Sequence, residues 1–462
     1  MGAISMLFGL FLTAMGLYFG FRLRFFCFLH PVRCLALLNG REKASRAASY
    51  GVKKEYSPAK ALTVALAGTL GVGNITGVAA ALCLGGAGAL FWMWMSALLT
   101  MLIKYAEVVL AVRHRETVSE PDGTVTLRGG PMRYLRPVPG GRLLVPVFCA
   151  LCVTASFLQG NLIQTNAAAG CLLSVFGLPR LWTGISLSVC AALLVFGGRK
   201  RISAFTEAMI PAMTGLYLLT GLAVIIRSAA LLPEVFGTII GCAFSAKAAA
   251  GGGVLWLAAL QNGCAKGVFS HEAGCGTSPI SHAGAETDSP VRQGLLGIAE
   301  VAADTLVLCT VTGLVLLLSG VIPAEGLAAE TDFVPLIVRA FSVWYGRAAG
   351  PVLACSMVFY AFATLVCWSF YGTEALRTFS VSPRVKNAYL VLFSVCTLLG
   401  VFVKSTDLWK LSDMMTAAMT MLNTLGAAYL LPEVKKETEY ALSGNQARRS
   451  DTETDGTAHE IR

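Results

Sequence analysis

Four glycines and three polar side chains interrupt a stretch that is otherwise apolar enough to cross a membrane. The stretch covers residues 61–84, and the interruption lies at its centre. Each glycine weakens a helix by about 1 kcal/mol relative to alanine. A broken backbone at that depth is tolerated only inside protein or beside water, so the stretch is a candidate binding site for a small solute or ion. The interrupting residues are Gly68, Thr69, Gly71, Gly73, Asn74, Thr76 and Gly77.

A second apolar stretch, residues 252–282, carries ionisable groups near its middle. One ionised residue at mid-bilayer costs roughly 2.5–3.5 kcal/mol, so these groups must face protein or water. The N-terminus of a half-helix suits a carboxylate, whereas half-helix C-termini and unwound carbonyls suit Na⁺ or an ammonium group. Two broken helices therefore suit a zwitterionic amino acid bound with a cation. The residues in this second interruption are Lys266, Ser270, His271, Glu272, Gly274, Gly276 and Pro279.

The composition indicates an integral membrane protein built from helices. The 462 residues are 55% hydrophobic and 13% charged, with a mean hydropathy of +0.68, whereas soluble domains carry about 25% charged residues. Because a span needs about 20 apolar residues, the sequence predicts eleven spans. They cover 4–20, 61–84, 88–112, 143–176, 181–196, 205–226, 252–282, 294–320, 351–376, 388–403 and 408–431.

The basic residues are unevenly distributed between the gaps of this pattern. If the N-terminus is outside, the cytoplasmic gaps hold roughly three times as many Lys and Arg residues as the external gaps. The net charge of +10 is therefore attributed to orientation in the membrane and not to nucleic acid. We expect a multi-pass protein of the cell (plasma or inner) membrane with its N-terminus outside and its C-terminus in the cytoplasm.

The two broken helices each lead a block of five spans, and the blocks begin with opposite orientation. This pattern is typical of inverted-repeat secondary transporters. The predicted fold is all-α, a polytopic membrane protein with a five-plus-five inverted repeat and one extra helix. The predicted segments are 1–60 (the extra transmembrane helix and a cytoplasmic basic segment), 61–226 (the first repeat), 227–251 (an extracellular linker), 252–432 (the second repeat) and 433–462 (a disordered cytoplasmic tail).

Several long motifs also resemble a known family. They occur in order between about residues 62 and 431 and include GTLGVGNITGVAAAL, GGPMRYL, GNLIQTNAAA, KGVFSHEAGCGTSPISHA and PVRQGLLGIAEVAADTLVLCTVTGLVLL. They are similar to those of the alanine/glycine:cation symporter family, the sodium:alanine symporters. The resemblance implies a leucine-transporter-like fold and uptake of alanine or glycine coupled to Na⁺ by alternating access.

The resemblance also implies site residues and partners. The expected partners are a small amino acid, sodium as the co-transported ion and the bilayer; no cofactor, enzymatic activity or nucleic acid is expected. The residues implied for substrate binding are Gly73, Asn74, Gln164, Phe269, Ser270 and Trp368. Those implied for the sodium site are Thr69, Gly71 and Thr364.

Three positions depart from the family pattern. His271 replaces an asparagine, Cys275 replaces a large apolar residue, and Ala363 replaces a hydroxyl residue that would add an oxygen ligand to the sodium site. A proton-coupled permease of the same fold, with His271 or Glu272 titrating, therefore remains an alternative. An intramembrane enzyme and a channel are weaker alternatives.

Other charged residues suggest pairs. Lys104 and Glu107 are spaced i,i+3 on one helix face and can pair there, and Lys266 and Glu272 flank the second break and could neutralise each other. Glu300 and Asp304, spaced i,i+4, could hold a cation or support the second broken helix.

Overall fold

The computed structural model describes residues 2–39, 57–119, 125–247, 254–287, 289–327 and 332–443. The first part of the described chain contains twelve helices and a small hairpin. They are α1 (Gly2–Arg22), α2 (Phe26–Leu29), α3 (Pro31–Asn39), α4 (Pro58–Thr69), α5 (Thr76–Gly85), α6 (Gly88–Arg113), α7 (Pro131–Tyr134), α8 (Gly141–Phe157), α9 (Ile163–Phe176), α10 (Arg180–Val195), α11 (Gly198–Arg227) and α12 (Leu232–Ala243), with strands β1 (Glu116–Ser119) and β2 (Val125–Arg128) pairing antiparallel between α6 and α7.

The second part of the described chain contains nine helices. They are α13 (Leu255–His271), α14 (Ser278–His282), α15 (Pro290–Val301), α16 (Thr310–Leu318), α17 (Phe333–Tyr345), α18 (Ala349–Leu376), α19 (Pro383–Gly400), α20 (Ser405–Tyr429) and α21 (Leu431–Leu442). Two π-helical segments, Leu158–Leu162 and Ala302–Cys309, join α8 to α9 and α15 to α16.

The first predicted break is confirmed at Gly71. Helix α4 ends at Thr69, and after a short 3₁₀ turn, Val72–Asn74, the chain resumes as α5, bent by 61°. Gly71 is extended, and its N–H turns back to the carbonyl of Thr69 at 2.8 Å. The glycine-rich sequence thus ends one helix and starts another inside the protein.

The second break lies at residues 272–277. Lys266 and Ser270 are still helical within α13, which ends at His271. The backbone then takes a left-handed conformation at Glu272 (φ 51°), Gly274 (φ 86°) and Gly276 (φ 80°) before α14 begins. Glycine adopts positive φ without the penalty that a Cβ brings, so the two glycines allow the chain to turn here.

The described structure exposes large apolar side chains and buries several charged and polar ones within a mainly apolar core. Leu219 and Ile226 expose 72% and 74% of their surface, whereas Asn74, Lys104 and Glu300 are fully buried. By length and composition, five helices of the described chain can cross a membrane, or seven if each of two bent pairs counts as one span. The predicted count of eleven spans, and the division into repeats at 61–226 and 252–432, remain predictions.

One predicted segment needs correction. The disordered tail is wrong for residues 433–442, which belong to α21, while residues 444–462 lie outside the described residues. Low hydropathy suggested disorder, but Leu431, Val434, Thr438 and Ala441 form one buried face at helical spacing. The segment 227–251 contains a helix, α12, and its role as an extracellular linker stays a prediction.

Candidate functional site

The first break presents backbone N–H groups that are held by two side-chain amides. The N–H of Gly71 donates to Asn74 Oδ1 at 3.1 Å, and the N–H of Val72 donates to Gln164 Oε1 at 3.1 Å. Gln164 is held in turn, since its Nε2 donates to the carbonyl of Gln159 at 3.0 Å. The structure therefore brings the predicted residues Asn74 and Gln164 together at the break.

Gln164 is positioned by a π-helical segment and a close helix contact. A π-helical segment places an extra residue in a turn and often marks a functional site; here Leu158–Leu162 directly precedes the turn that carries Gln164. A Cβ on Gly160 would lie only 2.2 Å from Trp368 Cβ, so glycine lets this segment pack directly on α18.

Oxygen atoms of Thr364 and of the last turn of α4 also lie at the first break. Thr364 Oγ1 donates to the carbonyls of Ala67 at 3.0 Å and Leu70 at 3.4 Å, and a Cβ on Gly71 would lie 2.6 Å from that hydroxyl oxygen. Thr364 and Gly71 thus adjoin as predicted. The hydroxyl of Thr69 points to the carbonyls of Ala65 and Leu66 within α4, and the assignment of Thr69 to the sodium site stays a prediction.

The second break contributes an aromatic ring and a hydroxyl. Phe269 lies against Gly73, where an added Cβ would be 2.8 Å from the ring, and it packs on Trp409 with ring centroids 4.6 Å apart. The indole of Trp368 points elsewhere, because its Nε1 donates to Glu272 Oε1 at 3.1 Å. Trp409, which carries no local signal in the sequence, is the ring that packs on Phe269.

Residues of both broken helices bond to the carboxylate of Asp304. Asn74 Nδ2 donates to Asp304 Oδ1 at 2.6 Å, and Ser270 Oγ donates to Asp304 Oδ2 at 2.8 Å. Thr305 Oγ1 also donates to Oδ2, at 2.7 Å. Asp304 lies in the second π-helical segment, Ala302–Cys309. The sequence suggested a supporting or cation-holding role for Asp304 without indicating this contact with Asn74.

Other buried charges form a network around the turn of the second break. Lys104 Nζ pairs with Glu300 Oε1 at 3.3 Å, and Glu300 Oε2 accepts from Ser278 Oγ at 2.7 Å. Glu107 accepts from the backbone N–H groups of Gly274 and Gly276 at 3.2 and 3.1 Å. The predicted pairing of Lys104 with Glu107 is therefore wrong.

Lys266 is also paired differently from the prediction. Its Nζ contacts Asp413 Oδ2 at 2.7 Å and lies 4.4 Å from the ring centroid of Trp409. Glu272 instead accepts from Thr277 Oγ1 and Trp368 Nε1. Lys266 thus links α13 to α20 on the side of Trp409.

His271 makes contacts that fit a neutral imidazole. Its Nδ1 accepts from the N–H of Ala273 at 3.0 Å, so that nitrogen carries no proton. Its Nε2 lies 3.4 Å from Thr100 Oγ1, whose own proton goes to the carbonyl of Ser96. Nε2 therefore serves as the donor. A second proton on Nδ1 would break the bond to Ala273, which argues against His271 as the proton carrier of the alternative reading.

Sequence comparison decides the family. The sequence model of the sodium:alanine symporter family matches residues 3–454. The chain belongs to this family. The sodium/alanine symporter AgcS of Methanococcus maripaludis is 36% identical over 83% of this chain and 84% of its own length. The probable sodium/glutamine symporter GlnT of Bacillus subtilis is 33% identical over 92% of this chain and 85% of its own.

The fold also matches solved transporters. The crystal structure of MhsT in complex with L-phenylalanine aligns with a TM-score of 0.54 at 15% identity, covering 87% of this chain and all of that one. The sodium:alanine symporter family member described here therefore has a leucine-transporter-like fold. It is a multi-pass membrane transporter and not an enzyme.

The site of this symporter-family protein is closed in the structure. Asn74, Gln164, Phe269 and Ser270 expose at most 4% of their surface. A cavity of about 10 Å³ lies beyond Trp409, lined also by Thr76, Asn166, Asp332 and Leu408. That volume is about the size of one water, so this cavity leaves no open path of substrate size to the site.

Proposed function

We propose that this protein is a secondary-active symporter that imports small neutral amino acids, alanine or glycine, coupled to Na⁺ by alternating access. The observation that carries the proposal is that N–H groups and carbonyl groups lie close together at the first break. The N–H groups of Gly71 and Val72 lie there, and the carbonyls of Ala67 and Leu70 lie beside Thr364. A zwitterion and a cation need both kinds of group at one depth.

The substrate carboxylate fits the N–H groups of the break. Asn74 Oδ1 and Gln164 Oε1 now accept from these groups, and the N–H of Gly71 is shared with the carbonyl of Thr69. We propose that carboxylate oxygens take the positions of the two amide oxygens. Hydrogen bonds from N–H groups to an ionised acceptor are about twice as strong as those to a neutral one. The carboxylate would therefore displace the two amide oxygens, which can then turn toward the substrate's ammonium group.

The aromatic wall favours a small side chain. Phe269 comes within van der Waals reach of Gly73, and Trp409 packs behind it. A substrate side chain would have to fit between this wall and the break, so we propose that it is a hydrogen or a methyl group. The name of AgcS specifies alanine and that of GlnT specifies glutamine; the packing around Phe269 agrees with the smaller substrate.

Sodium is proposed as the co-transported ion, with no further cofactor. Thr364 Oγ1 and the carbonyls of Ala67 and Leu70 form a set of hard oxygen ligands of the kind that alkali and alkaline-earth cations prefer. Gly71 lets Thr364 approach because it has no Cβ. The protein is proposed to lie in the cell membrane with its N-terminus outside and its C-terminus in the cytoplasm.

The test is uptake of labelled alanine by the purified protein in proteoliposomes. An inward Na⁺ gradient should drive alanine above its external concentration, and glycine should compete, whereas a pH step without Na⁺ should not drive it. Uptake driven by the pH step in the absence of Na⁺ would reject sodium coupling. Failure of every gradient to drive alanine or glycine would reject the substrate.

A variant of Thr364 examines the ion site in the same vesicles. Thr364→Val keeps the shape and removes the hydroxyl, and we expect the Na⁺ concentration for half-maximal uptake to rise about tenfold, equivalent to about 1.4 kcal/mol. Thr364→Ser keeps the hydroxyl and should retain most of the Na⁺ affinity. Equal behaviour of the two variants would place the sodium site elsewhere.

A further inference from the structure

A cavity of about 350 Å³ lies where the end of α1 and the short helices α2 and α3 approach α21. This volume corresponds to roughly a dozen water molecules, which is enough for the head group of a phospholipid. In the described part of the chain, its wall carries four Lys and Arg side chains and one carboxylate, that of Glu439. The four basic residues are Arg22, Arg24, Arg33 and Lys435.

The three arginines of this cavity carry charges that the protein does not pair. Among the described residues, no carboxylate lies within ion-pair distance of Arg22, Arg24 or Arg33. Lys435 Nζ lies 3.8 Å from the carboxylate of Glu439, and both side chains are partly exposed. The wall therefore suits an anion. Arginine binds the oxygens of a phosphate group through two parallel hydrogen bonds, so a phosphate group fits this set of residues.

The surface beside the cavity is apolar and exposed, which points to a lipid. Phe21, directly before Arg22, exposes 71% of its surface, and Leu29, which lines the cavity, exposes 67%. Val32 exposes 77% on α3, a helix of 9 residues that is too short to cross a membrane. A short helix with exposed apolar and basic residues is typical of the membrane interface. A ligand that fits both surfaces has a phosphate head group and acyl chains.

A left-handed turn brings the basic residues of α1 and α3 to the same cavity. Arg24 and Phe25 have φ angles of 55° and 43°, which residues other than glycine rarely adopt. The N–H of Phe25 donates to the carbonyl of Gly20 at 2.8 Å, which fixes the turn. Helix α3 is held at its end, where Arg292 Nε of α15 donates to the carbonyl of Leu38 at 3.2 Å. The backbone that carries the arginines is therefore held in place without a ligand.

We propose that this cavity binds an anionic phospholipid, with its phosphate group on the three arginines and its acyl chains along the exposed apolar surface of α1 and α3. Basic pockets between the helices of membrane proteins bind such head groups. The opposite wall belongs to α21, whose Thr438 hydroxyl bonds to the Tyr105 hydroxyl of α6 at 2.7 Å. The lipid therefore joins the N-terminal helices to α21 and stabilises the docking of α21 on α6. Its binding does not depend on which amino acid or ion the protein transports.

The test is native mass spectrometry of the purified, delipidated protein, together with a thermal-stability titration of the same samples. Phosphatidylglycerol should add one tightly held lipid per chain and raise the midpoint of unfolding by a few degrees in a saturable way. Phosphatidylcholine with the same acyl chains has no net charge and should do neither. Glycerol 3-phosphate has the phosphate group without acyl chains and should bind at least about tenfold more weakly than phosphatidylglycerol.

A pair of double variants locates the lipid. Arg22→Gln combined with Arg33→Gln removes two exposed arginines of the cavity and should lower the affinity for phosphatidylglycerol at least about tenfold. The matched control is Arg142→Gln combined with Arg384→Gln. It removes two exposed arginines at the starts of α8 and α19, away from the cavity, and should keep wild-type binding. All four side chains are exposed, so both double variants should fold.

Other results would reject this lipid site. Equal binding of phosphatidylglycerol and phosphatidylcholine would show that the head group is not recognised. Equal binding of glycerol 3-phosphate would assign the cavity to a soluble phosphate compound. Equal loss in the two double variants would show that the lipid responds only to the net charge of the protein. Unchanged binding in the variant of Arg22 and Arg33 would place the lipid elsewhere. A dimer that forms in the wild type and is lost in that variant would assign the surface to a second copy of the chain.

Discussion

At the scale of single residues, the site depends on how closely the chain approaches itself at the first break. Gly71 lies between Thr364 and Gln164, and an added Cβ would be 2.6 Å from Thr364 Oγ1 and 3.0 Å from Gln164 Oε1. Gly71 is extended and needs no special backbone freedom. The site therefore requires that residue 71 has no side chain, and it does not require the backbone freedom of glycine.

The replacement Gly71→Ala tests that requirement. The new methyl group must displace either the Thr364 hydroxyl or the Gln164 amide, and a displacement of about 1 Å can cost a hundredfold in function. We expect Na⁺-driven alanine uptake to fall at least about tenfold while the protein remains folded. The matched control is Gly215→Ala in α11, where a Cβ meets nothing within 4 Å. The control should keep wild-type uptake and gain up to about 1 kcal/mol of stability; equal uptake by both variants would contradict the assigned geometry.

The sequence predicted the positions of several site residues but not the directions of their side chains. Asn74 and Ser270 lie beside the two breaks, because glycines and polar groups in an apolar run reveal a break locally. Gln164 and Thr364 lie on other helices, and only the family resemblance implied that they belong to the site. Thr69 turns back onto its own helix, since a threonine can always bond the carbonyl three or four residues earlier.

At the scale of elements, contacts with helices that are distant in the sequence determine which way the buried side chains point. Lys266 stays helical, and six positions along a helix correspond to about 240° of rotation, which directs it away from Glu272 and toward Asp413 on α20. The π-helical segments that place Gln164 and Asp304 have no signature in composition or hydropathy. The direction of Lys266 and the positions of the π-helical segments both depend on packing between helices, which the periodicity of the sequence does not reveal.

The contact between α6 and α15 provides a second prediction, on stability. Lys104 and Glu300 are both fully buried, and Ser278 and His282 of α14 also bond to Glu300. Glu300→Gln leaves the Lys104 charge buried without a full counter-charge, and breaking a buried pair this way costs about 3–5 kcal/mol. We expect unfolding in detergent to show a loss of that order.

A double variant separates lost charge pairing from lost shape. Lys104→Met combined with Glu300→Gln removes both charges and should recover a large part of the stability lost in the single variant, because no unpaired ion remains. Non-additive losses of this kind are expected for residues in direct contact. A single variant within about 0.5 kcal/mol of the wild type would contradict a stabilising role for this pair.

At the scale of the whole molecule, basic residues at the ends of α1 and α6 lie close to the C-terminal helix α21. Arg113 at the end of α6 pairs with Glu433 and Glu437 of α21, and Arg22 lies with Lys435 around a cavity of about 350 Å³. The ends of α1 and α6 and the C-terminal helix therefore share one side. The positive-inside rule assigns such a side to the cytoplasm.

This arrangement predicts the orientation of the protein in a cell membrane. A fluorescent protein fused after residue 462 should fluoresce, and alkaline phosphatase fused at the same point should be inactive, because each reporter works on only one side of the membrane. Fusion of the same two reporters after Leu178, between α9 and α10 on the predicted external side, should give the opposite pair of results. Since α21 is docked on the end of α6, the C-terminal reporter also reports the side of the basic segment that follows α6. Active phosphatase at the C-terminus would invert the proposed orientation and, with it, the direction in which the Na⁺ gradient drives the amino acid.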